Sequence, residues 1–167
     1  APTHINNTRK DLVHEYDRFT WMDPGEPDAQ DHSMRVILDV VNRYDIDGVH
    51  IDDYFYPYPQ AGKDFPDDAS WGRYKSSGGA LGRADWRRDN INRFVQRLYR
   101  EVKQAKPHVR VGISPFGIWQ PGQPAGVDGF NAYEKLYADA RLWVREGWLD
   151  YASPQLYWKL SAPKQPF

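Results

Sequence analysis

Residues 47–57 read DGVHIDDYFYP, and this short run predicts a buried β-strand that carries two carboxylates at its end. Asp47 and Gly48 interrupt the helical pattern that precedes them. The residues from Val49 to Phe55 are rich in the apolar and β-branched types that suit a buried strand. Pro57 follows directly, so the strand is expected to give way to a loop.

Helices and strands alternate along the rest of the chain. Apolar residues at helical spacing predict helices at about 28–44, at about 86–105 and from about Tyr133 to Val144. Strands are predicted at 18–22, 49–55, 109–114 and 151–158. This order requires a parallel sheet with right-handed crossovers, either closed as a barrel or open and doubly wound. No glycine-rich phosphate loop follows a strand, so the nucleotide-binding version has no support.

The long segment 56–84 is predicted to be a loop, because it is rich in Pro, Gly, Asp and Ser. A second loop, residues 115–129, follows the third predicted strand and contains Trp119. Loops of this length inside a compact domain tend to be functional. Both loops leave the carboxyl end of a predicted strand.

The fold class predicted from this pattern is α/β, as an incomplete (β/α)8 TIM barrel. About four parallel strands would alternate with three helices, whereas a complete barrel takes about 250 residues. The chain has 167 residues. We therefore expect residues 1–167 to form one partial barrel domain from the middle of a barrel, and the chain to be mature, trimmed or a fragment.

Composition narrows the classes of partner. Net charge is −1, with acidic and basic residues interspersed, so the chain lacks the basic stripe that a nucleic acid would require. No long apolar run predicts a membrane-spanning segment. Cysteine is absent, which excludes disulfides and thiolate chemistry. Seven Trp and eleven Tyr favour sugar binding, because flat rings with polar edges suit pyranose faces.

Candidate site residues follow from a rule of parallel α/β folds, in which ligands bind at the carboxyl ends of the strands. The rule selects residues from all four predicted strand ends, and the loop aromatics join them as candidates for stacking on sugar. The candidate substrate-binding residues are Trp21, Asp23, Tyr54, Tyr56, Ser114, Phe116, Trp119, Gln155, Tyr157 and Trp158.

The candidate catalytic residues are His50, Asp52 and Asp53. Adjacent residues of a regular strand point to opposite faces, so one of the two aspartates is expected to be catalytic and the other structural. His50 and Asp52 share a face, which predicts that the imidazole holds the Asp52 carboxylate ionised and oriented. Asp53 would then face the helices or cap the following loop.

Four segments together resemble a bacterial glycosyl-hydrolase-like barrel family: 21–25 (WMDPG), 47–57, 112–117 (GISPFG) and 153–158 (SPQLYW). That family includes a divisome-localised enzyme that cuts denuded peptidoglycan glycans. The resemblance implies a (β/α)8 fold, of which this chain would supply about strands 3 to 6, and a location in the bacterial cell envelope or outside the cell. Residues 47–52 are also similar to the fourth-strand motif of amylase-like retaining glycosidases, in which an Asp in the place of Asp52 is the nucleophile. His50 stands where those enzymes carry Arg.

The predicted function is glycoside hydrolysis of a bacterial polysaccharide, with peptidoglycan glycan strands as the substrate class and no cofactor. Such hydrolysis needs two carboxyl groups that flank the scissile bond. Asp52 would be the nucleophile or the group that stabilises the transition state, and Asp53 or a residue outside this chain would donate the proton. These residues alone are therefore expected to be inactive.

Two other functions fit the same residues. His50, Asp52 and Asp53 offer an imidazole and carboxylates for a metal-dependent carbohydrate deacetylase. Alternatively, a non-catalytic glycan-binding barrel would use Tyr54 and the other aromatic residues to stack on sugar, without any proton donor. Loss of activity in chelator would favour the first function, and binding without turnover would favour the second.

Overall fold

The computed structural model describes residues 2–165 and has a mixed α/β fold. Its strands are β1 (Val13–Tyr16), β2 (Phe19–Met22), β3 (Gly48–Ile51), β4 (Arg110–Ile113) and β5 (Tyr151–Ala152). Its α-helices are α1 (Ile5–Thr8), α2 (Pro27–Arg43), α3 (Asp68–Ser76), α4 (Arg83–Ala105), α5 (Ala132–Lys135) and α6 (Ala140–Arg145), with a 3-10 helix at Lys10–Leu12. None of the helices in residues 2–165 combines the length and the apolar character needed to cross a membrane.

Strands β3, β4 and β5 form a parallel sheet in that order. The prediction of parallel strands is confirmed for these three and is wrong for the strand at 18–22. That strand, β2, pairs antiparallel with β1 in a separate hairpin, with Val13 opposite Met22. Asp17 occupies the connecting turn at φ 55°, a backbone conformation that Asp adopts more readily than most residues.

The two long helices lie where the apolar periodicity placed them, and they cover one face of the parallel sheet. From α2, Met34 and Val41 are buried, and from α4, Leu98 and Val102 are buried. These side chains pack with Val111 of β4 in one apolar cluster. Burial of such residues is the main favourable contribution to stability, at about 1.5–3 kcal/mol for each fully buried aliphatic side chain.

The predicted third helix is instead two short helices, α5 and α6. Tyr137 lies between them at φ 55°, which interrupts the helical backbone. Asn131 caps α5 by accepting a hydrogen bond from Glu134 N at 3.1 Å, and Asp139 caps α6 by accepting one from Leu142 N at 3.2 Å. Two capping signals, rather than one, mark this region of the sequence.

Helix α3 lies inside the segment that was predicted to be a loop. It has little apolar periodicity, and ion pairs in its neighbourhood hold it to the long helix α4. The buried carboxylate of Asp67, just before α3, is bound by the guanidinium groups of Arg83 and Arg87. Trp71 of α3 also packs against Trp86, with ring centroids 5.3 Å apart. Contacts with α4, rather than local periodicity, define this helix.

Candidate active site

The carboxyl ends of the three parallel strands meet at one edge of the sheet. Ser114 N donates to Ile51 O at 2.9 Å, and Gln155 N donates to Pro115 O at 2.9 Å. These backbone bonds continue the strand pairing past the ends of β3, β4 and β5. They bring Asp52, Ser114 and Gln155 together, as the strand-end rule predicted.

The Asp52 carboxylate is exposed and is held by two donors. Gln155 Nε2 donates to Asp52 Oδ1 at 2.5 Å, and the backbone N–H of Asp53 donates to the same oxygen at 2.9 Å. Gln155 Nε2 also donates to Ser114 O at 3.0 Å. The glutamine therefore links the ends of all three strands.

His50 contacts different partners from those expected. Its Nε2 lies 2.6 Å from Ser114 Oγ and its Nδ1 lies 2.9 Å from the Tyr151 hydroxyl. The structure thus replaces the expected bond between His50 and Asp52 with the bond from Gln155. The reason is that β3 ends at Ile51, so Asp52 no longer follows the alternation that would align it with His50.

Gly112 makes the contact between His50 and Tyr151 possible. His50, Gly112 and Tyr151 occupy one row across the sheet, with glycine on the middle strand. A Cβ on Gly112 would lie 2.0 Å from Cζ of the Tyr151 ring. The missing side chain lets the Tyr151 ring cross β4 and stack on His50, with centroids 5.6 Å apart.

Asp53 is buried, with 2% of its surface exposed. The Tyr58 hydroxyl donates a hydrogen bond to its Oδ2. Burial raises the pKa of the Asp53 carboxyl; the bond from Tyr58 acts in the opposite direction, and the neighbouring Asp52 charge adds to the rise. The two adjacent aspartates therefore differ in environment, one open to solvent and one enclosed.

A row of aromatic side chains runs past these carboxylates. Successive ring centroids are 6.2 Å apart for Trp21 and Tyr54, 6.1 Å for Tyr54 and Tyr58, 5.3 Å for Tyr58 and Phe130, and 5.1 Å for Phe130 and Phe116. Tyr54 is 60% exposed, so its ring is open to a ligand. We call these five residues the aromatic row.

Sequence reasoning missed two members of the aromatic row, Tyr58 and Phe130. Tyr58 lies between Pro57 and Pro59, directly after the acidic strand end. That position could have identified Tyr58 as a candidate residue of the site. Phe130 precedes the capping residue Asn131 at the end of a loop rich in Gly and Pro, and nothing local distinguishes it. Its place in the row comes from contacts with other segments.

Two predicted substrate-binding residues, Asp23 and Tyr56, are buried. The Asp23 carboxylate accepts hydrogen bonds from Ser70 Oγ and Gly25 N, both at 2.7 Å, and has no exposed surface. Tyr56 is buried beside Phe65, at a centroid distance of 5.3 Å. Both side chains contact the interior of the protein rather than the solvent.

The remaining predicted residues lie around the C-terminal segment. Trp119 donates from Nε1 to Asp139 Oδ1 at 3.0 Å and lines a cleft with Phe116. The Trp158 ring packs on Gly117, where a Cβ would lie 2.5 Å from it. Tyr157 is 87% exposed and remains available to a ligand.

His, Asp and Glu side chains do not converge on a metal-sized site within residues 2–165. No group of three or more such residues is placed to hold an ion there. His50 directs both ring nitrogens to Ser114 and Tyr151 instead. The site comprises the exposed Asp52 carboxylate and the aromatic row beside it.

Comparison with known proteins gives the same family as the residues did. The family model described as "Glycosyl hydrolase-like 10" matches residues 1–166. The chain is 44% identical over 163 residues to "Glycosyl hydrolase YngK" of Bacillus subtilis (strain 168), covering 94% of this chain and 32% of that protein. It is 42% identical over 150 residues to "Glycosyl hydrolase DigH" of Escherichia coli (strain K12), covering 87% of this chain and 33% of that protein.

The chain therefore spans about a third of the length of the curated relatives that it matches. Those relatives are named glycosyl hydrolases, and the family model is described as glycosyl hydrolase-like. The resemblance found in the four sequence segments is confirmed. This chain belongs to the glycosyl hydrolase-like 10 family.

Proposed function

We propose that this chain carries part of the active site of a glycoside hydrolase that acts on a bacterial polysaccharide. One observation supports this most directly: the exposed Asp52 carboxylate is held at a strand end beside the aromatic row. Aromatic rings bind the C–H faces of sugars, and a fixed carboxylate can stabilise the positive charge that develops at the anomeric carbon. Both groups are needed in one place for glycoside hydrolysis.

In the proposed reaction, Asp52 is the nucleophile or the charge stabiliser of an oxocarbenium-like transition state. If it is the nucleophile, its oxygen bonds to the anomeric carbon as the bond to the leaving-group oxygen breaks. A proton donor must then protonate the leaving oxygen. Water would afterwards attack the anomeric carbon and release Asp52.

The second carboxyl has two proposed sources. Asp53 adjoins Asp52, and its raised pKa would let it keep a proton at higher pH than an ordinary aspartate. Against that role, Asp53 is enclosed beneath Tyr58. A carboxylic acid from the larger protein is the other source, since the matched relatives are about three times as long as this chain.

We also propose that the parallel sheet is part of a (β/α)8 barrel, about strands 3 to 6. The face that bears His50 and Tyr151 is exposed within residues 2–165, whereas parallel sheets are normally covered on both faces. Further strands of a barrel would cover it. Peptidoglycan glycan strands are the proposed substrate and the cell envelope or the exterior the proposed location, both because of the family resemblance.

The deciding experiment measures release of soluble sugar from peptide-stripped glycan strands by the intact protein. We expect Asp52→Asn to abolish release with unchanged folding, because the amide cannot supply the negative charge. Asp45→Asn, an exposed aspartate before the amino end of β3, is the matched control and should retain activity. Release by Asp52→Asn at the wild-type rate would refute the proposal.

Three further measurements separate the alternatives. An aryl glycoside with an acidic leaving group needs no proton donor, so Asp53→Asn would cleave it normally while failing on glycan strands if Asp53 is the acid. A glycan-binding barrel would retain the strands in a pull-down assay without cutting them. Loss of activity in chelator would point to the metal-dependent deacetylase instead.

A further inference from the structure

We propose that Gln155 is a positioning residue that binds Asp52 Oδ1 and thereby presents Oδ2 to the substrate. This inference rests on the proposed function, because it assigns the reacting atom of Asp52. Both hydrogen bonds that Asp52 accepts within residues 2–165 end on Oδ1, one from Gln155 Nε2 and one from Asp53 N. Oδ2 is therefore the oxygen left to face a ligand.

The orientation of the Gln155 amide follows from its partners. Nε2 lies 2.5 Å from a carboxylate oxygen and 3.0 Å from the Ser114 carbonyl oxygen. Both partners can only accept, so the NH2 group must face them, and the flipped amide would set oxygen against oxygen. One amide thus donates one hydrogen to Ser114 and the other to Asp52.

Ser114 holds the amide in place through its backbone. The same Ser114 that accepts from Gln155 donates its own N–H to Ile51 O at 2.9 Å, within the pairing of β3 and β4. Its hydroxyl lies 2.6 Å from His50, which in turn contacts Tyr151. Gln155 is therefore anchored to a rigid part of the sheet and can hold the carboxylate in one orientation.

A fixed carboxylate orientation matters because the attack on the anomeric carbon is directional. Reacting atoms must lie about 3–3.5 Å apart with their orbitals aligned, and small misplacements lower the rate without weakening binding. Gln155 is expected to act on turnover and not on affinity. It touches Asp52, not the reacting bond, so its role is to position.

The test compares Gln155→Leu, Gln155→Glu and the matched control Gln104→Leu in the intact protein on peptide-stripped glycan strands. Gln104 is exposed on α4, so that control should behave like wild type. Loss of one preorganising donor should lower kcat of Gln155→Leu by about 10- to 100-fold with little change in KM. An unchanged kcat for this variant would overturn the proposal.

Gln155→Glu distinguishes positioning from packing by its pH profile. Protonated Glu can donate to Asp52, whereas ionised Glu places a second negative charge against it. We expect the loss of kcat, relative to wild type, to be much smaller near the acid end of the profile than at neutral pH. An equal loss at every pH, like that expected of Gln155→Leu, would mean that only packing was disturbed and would overturn the proposal.

A readout independent of activity separates this proposal from the proposed function. Carbon-13 NMR of the Asp52 carboxyl at one fixed pH reports the hydrogen bonding of that group directly. Removing the Gln155 donor should change the carboxyl chemical shift in Gln155→Leu and leave it unchanged in Gln104→Leu. An unchanged shift in Gln155→Leu refutes the role of Gln155, whereas a changed shift in a protein that cuts no glycan supports it and refutes only the proposed function.

Discussion

The Tyr58 hydroxyl donates a hydrogen bond to the buried carboxyl of Asp53, five residues earlier in the chain. This bond joins the acidic strand end to the aromatic row, because the Tyr58 ring contacts both Tyr54 and Phe130. Burial, together with the bond to Asp53, raises the pKa of the Tyr58 hydroxyl. The Tyr58 hydroxyl is therefore protonated at neutral pH and can donate to the Asp53 carboxylate.

The first prediction concerns the pH dependence of stability at Asp53. Its pKa is raised in the folded protein, mainly by burial, so folding favours the protonated form. The contribution of this group is thus largest below its unfolded pKa of about 3.9 and is lost as pH rises through the folded value. Urea denaturation of Asp53→Asn should show an unfolding free energy that rises with pH relative to wild type.

The control for that prediction is Tyr58→Phe. Removing the hydroxyl takes away a bond that favours the ionised carboxyl, so the pKa of Asp53 should rise further. Stability should then fall more steeply with increasing pH than in wild type. A difference between Asp53→Asn and wild type that stays constant with pH would contradict the environment described for Asp53.

The second prediction concerns Gly112, which leaves room for the Tyr151 ring. Gly112→Ala places a Cβ 2.0 Å from ring atom Cζ, so the ring must leave His50. Overpacking of this kind costs about 1–3 kcal/mol of unfolding free energy. Thermal denaturation measures the loss.

Gly72→Ala is the matched control for Gly112→Ala. Gly72 lies in α3 with no neighbouring atom within 4 Å of an added Cβ. Alanine should stabilise the protein there by about 0.5–1 kcal/mol, since glycine in a helix costs backbone entropy. The change in unfolding free energy should therefore be negative for Gly112→Ala and positive for Gly72→Ala. A wild-type melting temperature for Gly112→Ala would disprove the steric argument.

The third prediction concerns the ion pair between Arg87 and Asp67, whose side chains are both buried. Nε and Nη2 of Arg87 donate to the two Asp67 carboxylate oxygens at 2.7 Å and 2.6 Å. Arg87→Met leaves a buried carboxylate with fewer partners and should cost about 3–5 kcal/mol. Denaturant unfolding measures the cost.

The exposed pair of Arg43 with Asp39, at 3.1 Å, supplies the comparison. Arg43→Met should cost less than about 1 kcal/mol, because water and salt screen exposed pairs. High salt should reduce that small effect further and leave the Arg87→Met effect largely intact. Equal losses of unfolding free energy in Arg87→Met and Arg43→Met would show that burial does not determine the strength of the ion pair between Arg87 and Asp67.

The fourth prediction concerns the aromatic row. Tyr54→Ala removes its most exposed ring and should weaken binding of peptide-stripped glycan strands about fivefold, from about 1 kcal/mol of lost stacking. Tyr44→Ala is the control, because Tyr44 is similarly exposed at the end of α2. Equal affinities of the two variants in a sedimentation assay would exclude Tyr54 from the binding surface.

The spacing of apolar residues along the chain was sufficient to predict the helices that bury one apolar face. Helices α2 and α4 follow from apolar residues at helical spacing, and their predicted positions agree with the structure. The rule that ligands bind at the carboxyl ends of parallel strands likewise predicted that Asp52, Ser114 and Gln155 would lie close together. The catalytic and substrate roles of these residues stay predictions.

The spacing of residues along the chain did not predict the direction of strand pairing or the contacts between distant side chains. Residues 19–22 read as a strand in either arrangement, and only the turn at Asp17 and the pairing with β1 make that strand antiparallel. Helix α3 escaped prediction because its place depends on Asp67 and α4, not on apolar periodicity.

The sequence by itself determined the family, the main helices and the acidic strand end, since short-range spacing and motif residues carry that information. Only the tertiary structure decided which donor holds Asp52. Gln155 is 103 residues away in the chain, and the expected partner, His50, is two residues away. The difference arises because β3 stops at Ile51, and contacts beyond a strand end depend on which segments the whole fold brings together.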